Sequence, residues 1–312
     1  MTQTVAAIDC GTNSIKLLIA RVHHGGGLEV VLRTSQVVRL GQGVDETRML
    51  ADEALERTFA AVDEFARVIG EHGVAPERLR FCATSATRDA GNAAVFAEGV
   101  RRRLGVEPEV LSGDEEAALV YTGAMAAQDP PPPEPVLVVD IGGGSTELVL
   151  GEGEDRRAIS MDIGSVRLHE RHLHSDPPTD AEVAACVAAI DEHLDASGIP
   201  LDGTRTVIGT SGTIKTVACG VLALGSYDRD RFDRAVLSNA DTAAFVDDLV
   251  AMTVAQRRAL PYMHPGRADV IDAGALIWSR ILARVAVPEH LISEADILHG
   301  MAAAIPGRRG AR

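Results

Sequence analysis

Two stretches of the chain carry residue types that suit phosphate chemistry, and they repeat one another. Asp9-Cys10-Gly11-Thr12-Asn13-Ser14 lies between apolar runs at 5–8 and 17–20. Asp140-Ile141-Gly142-Gly143-Gly144-Ser145-Thr146-Glu147 lies between apolar runs at 136–139 and 148–150. Each reads as strand, tight turn, strand. The glycines let the backbone turn sharply and aim N–H groups at an anion. Asp9 and Asp140 stand at equivalent strand ends, placed to hold a cation beside that anion, with Glu147 near enough in the second hairpin to join them. A few carboxylates completed by waters and phosphate oxygens are what Mg²⁺ takes, with Mn²⁺ as a substitute. A single Asp would be read as satisfying its own turn; the duplication argues for function. Asn13, Ser14, Gly142, Gly143, Gly144, Ser145 and Thr146 are candidates to donate hydrogen bonds to phosphate, although ordinary turn chemistry explains each one singly. Lys16 either meets phosphate or points to solvent.

Three further clusters suit the same chemistry. Gly209-Thr210-Ser211-Gly212 follows an apolar strand and opens a helix, so free N–H groups and the helix dipole favour an anion there. Arg88, after a buried strand and before a helix, can grip a phosphate through two hydrogen bonds; a surface ion pair with Asp89 or Glu98 is the plainer reading. Ser112-Gly113-Asp114-Glu115-Glu116 opens another helix. Its acidic residues complement the helix dipole, or one of them orients a water for attack on phosphorus.

Other chemistries lack their residues. No Gly-Lys-Ser/Thr ending makes a Walker A loop, and no G-x-G-x-x-G or G-x-S-x-G occurs. His169-Glu170-Arg171-His172-Leu173-His174 misses the H-E-x-x-H zinc spacing and reads as a solvated helix face. His23-His24 lies in a Gly-rich turn and reads as exposed. The four cysteines form no C-x-x-C pair, which suits a reducing cytoplasm. No apolar run spans a bilayer and no basic leader opens the chain, so neither a membrane nor a secretory route is expected. The net charge of −15 argues against nucleic-acid partners. It also repels polyanions at long range, so a phosphate site here needs local N–H groups or divalent cations.

These residues need a scaffold that presents them. With 312 residues and only 3% aromatic content, the chain suggests about two domains with Ala, Val, Leu and Ile cores. Strands are expected near 4–10, 15–22, 28–36, 79–83 and 109–112, with helices at 52–72, 93–104 and 114–127. In the second half, strands are expected near 136–140, 146–151, 157–162 and 206–209. Helices there are expected over 180–196, 211–221, 241–252 and 268–286. Ser293-Glu294-Ala295-Asp296 resembles a capping box before a last helix, and the basic tail 307–312 reads as disordered. The proline run 129–135 is a stiff loop at the boundary. The expected fold is α/β, with mixed sheets in two related domains facing each other across a phosphate-sized cleft. The first spans 1–127, with a C-terminal helix from about 294 to 312 packing back onto it, and the second spans 128–293.

Taken in order, the segments at 9–18, 83–92, 112–123, 140–150, 164–168, 209–218, 267–274 and 293–300 resemble the exopolyphosphatase and guanosine pentaphosphate phosphatase family. That family belongs to the actin, Hsp70 and sugar-kinase superfamily. The resemblance implies two actin-like (ribonuclease H-like) domains and Mg²⁺-assisted release of terminal phosphate from linear polyphosphate. It implies that Glu116 is the catalytic base, that Asp140 and Glu147 are metal-linked, and that Arg88 binds phosphate. A homodimer is implied at the family level only. Larger members carry extra C-terminal domains that lengthen the polyphosphate channel, so short chains or a nucleotide tetra- or pentaphosphate are the expected substrates here. The rivals are a guanosine pentaphosphate 5′-phosphohydrolase, a kinase of the same superfamily, and a silent polyphosphate or alarmone sensor.

Overall fold

The structure is a computed structural model that describes residues 2–23 and 27–305; His24 and the tail 307–312 lie outside the described residues. The chain divides into two compact units: the residues through Ala126 with the segment from Ile297, and Ala127–Asp296.

In the first unit the strands are β1 (Thr2–Cys10), β2 (Ser14–His23), β3 (Leu28–Val37), β4 (Leu79–Ala83) and β5 (Glu109–Val110). The helices are α1 (Val44–Thr47), α2 (Asp52–Glu71), α3 (Ser85–Asp89), α4 (Ala93–Leu104) and α5 (Gly113–Ala126). The sheet order is β3-β2-β1-β4-β5. β1, β2 and β3 pair antiparallel, whereas β4 and β5 continue from β1 in parallel. Val5 through Cys10 is buried without interruption, as expected for a central strand covered on both faces. The helical period of 52–71 turns Leu55, Val62, Phe65 and Ile69 into the core.

The second unit repeats this plan. Its strands are β6 (Val136–Ile141), β7 (Thr146–Glu152), β8 (Asp155–Met161), β9 (Thr206–Thr210), β10 (Val236–Ser238) and β11 (Glu289–Ile292). Its helices are α6 (Ser165–His172), α7 (Asp180–Ala196), α8 (Ser211–Val221), α9 (Arg229–Phe232), α10 (Asn239–Ala251), α11 (Val254–Arg258) and α12 (Ile271–Leu282). The order β8-β7-β6-β9-β11 matches the first sheet in sequence and direction, with β10 added antiparallel at the edge. Two mixed sheets of this order make each unit ribonuclease H-like, or actin-like. α13 (Ile297–Ala304) returns to the first unit, where it packs on α5, β1 and β2.

Three local expectations change. The strand at 109–112 ends at Val110: Leu111 N–H makes the last bond to the neighbouring strand, at Ala83 O, and Ser112 already caps the next helix. The helix expected from 268 begins at Ile271, because Val270 and Ile271 N–H groups both turn back to Arg267 O. Ser293 forms no capping box. Its hydroxyl donates to Ala295 O at 3.1 Å, and Asp296 lies 3.7 Å from the Lys215 ammonium.

Candidate functional site

In the first unit, the β1–β2 register sets Asp9 opposite Lys16. Lys16 Nζ donates to Asp9 Oδ2 at 2.8 Å, and the carboxylate is nearly buried. Lys16 therefore neither faces open solvent nor waits for phosphate. Asp9, expected to meet a cation, already has one from the chain itself. The turn between them is laced to the segment after β3. Asn13 O accepts from Val38 N–H and Arg39 N–H at 3.0 and 2.9 Å, and Thr12 O accepts from Gly41 N–H at 2.8 Å. Asn13 and Ser14 remain half-buried. Thr12 Oγ1 lies 2.9 Å from Ser85 Oγ at the start of α3, which ties the turn to the helix that carries Arg88.

Arg88 is not paired with Glu98, whose partners are Arg101 and Arg102. Its Nη1 donates to Leu111 O at 2.9 Å and to Glu116 Oε2 at 3.4 Å. Glu116 is only 8% exposed. The preceding Glu115 does different work. Its Oε2 accepts from Ser112 N–H and from Ser112 Oγ, both at 2.9 Å, while Glu115 N–H donates back to Ser112 Oγ. That reciprocal pair is a capping box. The hydrogen bond from Ser112 N–H, with the one from its hydroxyl, holds the Glu115 carboxyl below its usual range. The helix start thus uses one glutamate as a cap and sets the next one beside a guanidinium.

In the second unit, Asp140 and Glu147 are direct cross-strand partners, and both are buried. Cβ atoms so paired lie roughly 5 Å apart, where like charges repel. Glu147 Oε1 also accepts from Ser160 Oγ at 2.7 Å. Among the described residues no three His, Cys, Asp or Glu side chains cluster as a metal cage. A carboxylate pair fits Mg²⁺, which keeps several waters and binds through one or two carboxylates plus phosphate oxygens.

The Gly142–Ser145 turn closes with Gly142 N–H on Ser145 O at 2.9 Å. Its carbonyls face α6: Gly142 O accepts from Ser165 N–H, and Gly143 O from Val166 and Arg167 N–H. Arg167 Nε donates to Gly144 O at 2.8 Å. A Cβ on Gly164 would lie 2.5 Å from Gly143 O, so only glycine lets α6 approach this turn. The carbonyl dipoles are thereby spent away from any anion. Ser145 is buried, and Thr146 is fully buried with its hydroxyl on Ile163 O at 2.7 Å, so that hydroxyl braces the turn.

The β9–α8 junction separates bracing residues from available ones. Gly209 O accepts from Ser293 N–H, and Thr210 Oγ1 donates to Ala295 O. Lys215 is buried, with its ammonium on Glu294 O at 2.8 Å and Glu294 Oε2 at 2.9 Å. Ser211 differs. It opens α8 with φ +76° and is 3% exposed, and its hydroxyl has no hydrogen-bond partner among the described residues. Strain of this kind clusters at functional sites. Gly212 abuts Arg267, so a Cβ there would meet Nη2 at 2.4 Å. Arg267 Nη1 donates to Thr216 Oγ1 at 2.8 Å, and burial lowers the guanidinium pKa. The motifs read from the sequence miss Arg267 and Arg167 as site residues. Both reach their turns from elements distant in sequence, and only the family-like segments at 164–168 and 267–274 contain them.

Phosphate-suited turns on paired actin-like sheets agree with the comparisons to known proteins. The family model described as Ppx/GppA phosphatase family matches residues 18–305. The chain belongs to the Ppx/GppA phosphatase family. It is 43% identical to Exopolyphosphatase 2 of Mycobacterium tuberculosis over 97% of this chain and 98% of that one. It is 33% identical to a guanosine-5′-triphosphate,3′-diphosphate pyrophosphatase of Vibrio atlanticus, over 72% of this chain and 46% of that one. Among solved structures, an exopolyphosphatase-like protein superposes with TM-score 0.92 at 44% identity, covering 98% of this chain and 99% of that one. The Aquifex aeolicus Ppx/GppA family member superposes with TM-score 0.82 at 30% identity, covering 99% of each. No described helix is long and apolar enough to cross a membrane.

Proposed function

We propose that the chain is an exopolyphosphatase, a hydrolase that releases terminal orthophosphate from inorganic polyphosphate. The observation that carries this reading is the Arg88–Glu116 contact, in a chain 43% identical from end to end to an enzyme named for this activity. Glu116 accepts a proton from a water as that water's oxygen bonds to the terminal phosphorus. The P–O anhydride bond breaks, and the shortened polyphosphate leaves with the bond's electron pair. Arg88 orients Glu116 and has further N–H donors for the terminal phosphoryl oxygens. The candidate phosphate donors are Asn13 and Ser14 in the first unit and the 142–145 turn, Ser211, Gly212 and Arg267 in the second. Asp140 and Glu147 would hold Mg²⁺, or Mn²⁺ in its place, with Asp9 less available because Lys16 occupies it. Bound there, the metal would supply charge neutralisation to phosphate oxygens. Local donors of this kind outweigh the repulsion expected from a net charge of −15.

The four cysteines are all buried free thiols, in keeping with a reducing cytoplasm. A homodimer is the assembly that the family resemblance implies.

The test is phosphate release from defined-length polyphosphate with Mg²⁺, run beside guanosine pentaphosphate and ATP. Stepwise shortening that is lost in Glu116→Gln, with polyphosphate binding kept, is the expected result. Normal turnover by that variant refutes the assignment of Glu116. The guanosine pyrophosphatase relatives favour a second reading, guanosine pentaphosphate 5′-phosphohydrolysis. Phosphate from that nucleotide alone would select it, and saturable binding without turnover would select a sensor.

A further inference from the structure

His169 does not sit on a solvated helix face, as its sequence suggests. Its side chain is 24% exposed, and Nδ1 lies 3.1 Å from Asp272 Oδ1. A carboxylate only accepts, so the ring carries a proton on Nδ1 and donates it there. Asp272 is buried in the first turn of α12, and its other oxygen accepts from Arg257 Nη1 at 2.6 Å. Arg257 is fully buried, and its Nε and Nη2 donate to Leu249 O and Val250 O in the last turn of α10. A chain of charge-assisted hydrogen bonds thus runs from α10 through α11 and α12 to α6. The opposite end of α6 holds the 142–145 turn. Ser165 N–H goes to Gly142 O, Val166 and Arg167 N–H to Gly143 O, and Arg167 Nε to Gly144 O. A trans peptide points its N–H opposite to its C=O, and the cis bonds among the described residues all precede proline. The N–H groups of Gly143, Gly144 and Ser145 therefore point away from α6.

We infer that His169 is a positioning residue for phosphate binding: anchored by Asp272 and Arg257, it fixes the tilt of α6 and so aims the N–H groups of the 142–145 turn. The helix is eight residues long, too short to hold its own direction without packing. Its buried residues are the first four, Ser165 to Leu168, and His169 ties the half beyond them to α12. The joint between helix and turn has no slack, since a Cβ on Gly164 would already lie 2.5 Å from Gly143 O. A change of tilt is therefore passed to the turn rather than absorbed. α12 also abuts the start of α6 directly, where a Cβ on Gly274 would meet Ser165 Cβ at 3.0 Å. Apolar packing would fill the same space, and replacing a buried ion pair by it is often neutral for stability. What the hydrogen-bond chain adds is a fixed direction. The inference rests on the proposed role of the 142–145 turn as a phosphate donor, and it concerns binding, not the proton transfer at Glu116.

The experiment is calorimetric titration of the full chain with tripolyphosphate, without divalent metal so that neither hydrolysis nor a carboxylate-held cation contributes. His169→Leu fills the space but has no donor, and should weaken binding roughly 10-fold, as loss of a hydrogen bond to a charged group does when it is transmitted to the site. His169→Asn keeps an N–H near the place of Nδ1 and should restore most of the affinity. Amide hydrogen exchange supplies the link: Ser165, Val166 and Arg167 should exchange faster in His169→Leu than in wild type and His169→Asn. A merely structural role would lower the urea midpoint of His169→Leu and leave its affinity unchanged, and that result overturns the inference. So does an equal loss of affinity in the Leu and Asn variants, unchanged exchange at 165–167, or no binding of tripolyphosphate by wild type. Polyphosphate turnover, measured separately with Mg²⁺, reports on the exopolyphosphatase reading. A wild type that binds tripolyphosphate and releases no phosphate refutes that reading and leaves this one standing.

Discussion

His290 makes folding pH-dependent through a group that no local motif reveals. It sits on β11, 2% exposed, with Nδ1 2.8 Å from Asn239 Oδ1. Its ring stands at 86° to Trp278 with centroids 5.1 Å apart, and its Nε2 has no hydrogen-bond partner among the described residues. Asn239 Nδ2 donates to Val287 O, which orients Oδ1 as the acceptor for an Nδ1–H tautomer. Protonation would place a second N–H on Nε2 with no acceptor, beside an indole N–H that also lacks one. Burial accordingly pushes the His290 pKa down to about 4 from 6.5. The folded state prefers neutral histidine, so this stability is complete above pH 6.5 and is lost as pH falls toward about 4. Between about pH 7.5 and about pH 5 the unfolded chain takes up nearly one proton that the folded chain refuses, a loss of about 2 kcal/mol. Urea denaturation at both pH values, in wild type and His290→Leu, measures it. The variant should lose about 2 kcal/mol less than wild type over that interval. His172 and His264 are also held down, first by burial, and they remain in both proteins, so the difference isolates residue 290. An identical pH slope in the two proteins would refute the reasoning. The consequence reaches the site, because β11 leads into Ser293 and Ala295, which brace Gly209 and Thr210.

Other substitutions separate the roles assigned above. Glu115→Ala should weaken the start of α5 by removing its capping box, seen as a lower melting temperature, while Glu116→Gln should cut kcat by about 100-fold or more with little change in melting. Ser160→Ala removes the hydrogen bond to Glu147 and should weaken Mg²⁺ binding roughly 10- to 100-fold in a metal titration, as loss of a ligand's supporting partner does elsewhere. Lys215→Met leaves Glu294 and Asp296 without their buried cation and should cost about 3–5 kcal/mol in chemical denaturation.

The strand-turn-strand repeats were legible because a hairpin is a local object. Its apolar runs and turn residues all lie within about twenty residues, so the two hairpins follow from short-range pattern, whereas the pairing of Lys16 with Asp9 across the first one was not read from it. The long helices at 52–71 and 180–196 were legible for the same reason. β10 and β11 were not, because at three and four residues they are strands only by virtue of their neighbours in the sheet. The start of α12 was placed too early because an apolar, Ala-rich stretch shows no sign that Arg267 O will accept two N–H groups and close a turn first.

The sequence by itself determined the duplicated hairpins, the α/β alternation and which short segments carry carboxylates and small polar residues. These rest on hydrophobic period and turn chemistry, which are nearest-neighbour properties. Only the tertiary structure decided between side chains of the same type a residue or two apart. Glu115 and Glu116 are equivalent by residue type and helix position, and only the family resemblance singled out Glu116; the packing makes one close a cap and the other meet Arg88, 28 residues away. Ser211 and Thr210 are equally polar, yet Ala295 O accepts the Thr210 hydroxyl and no described residue partners that of Ser211. Whether a polar group is spent on the fold or left for a ligand depends on partners brought together by packing. Those partners lie tens of residues away, where short-range pattern holds no information about them.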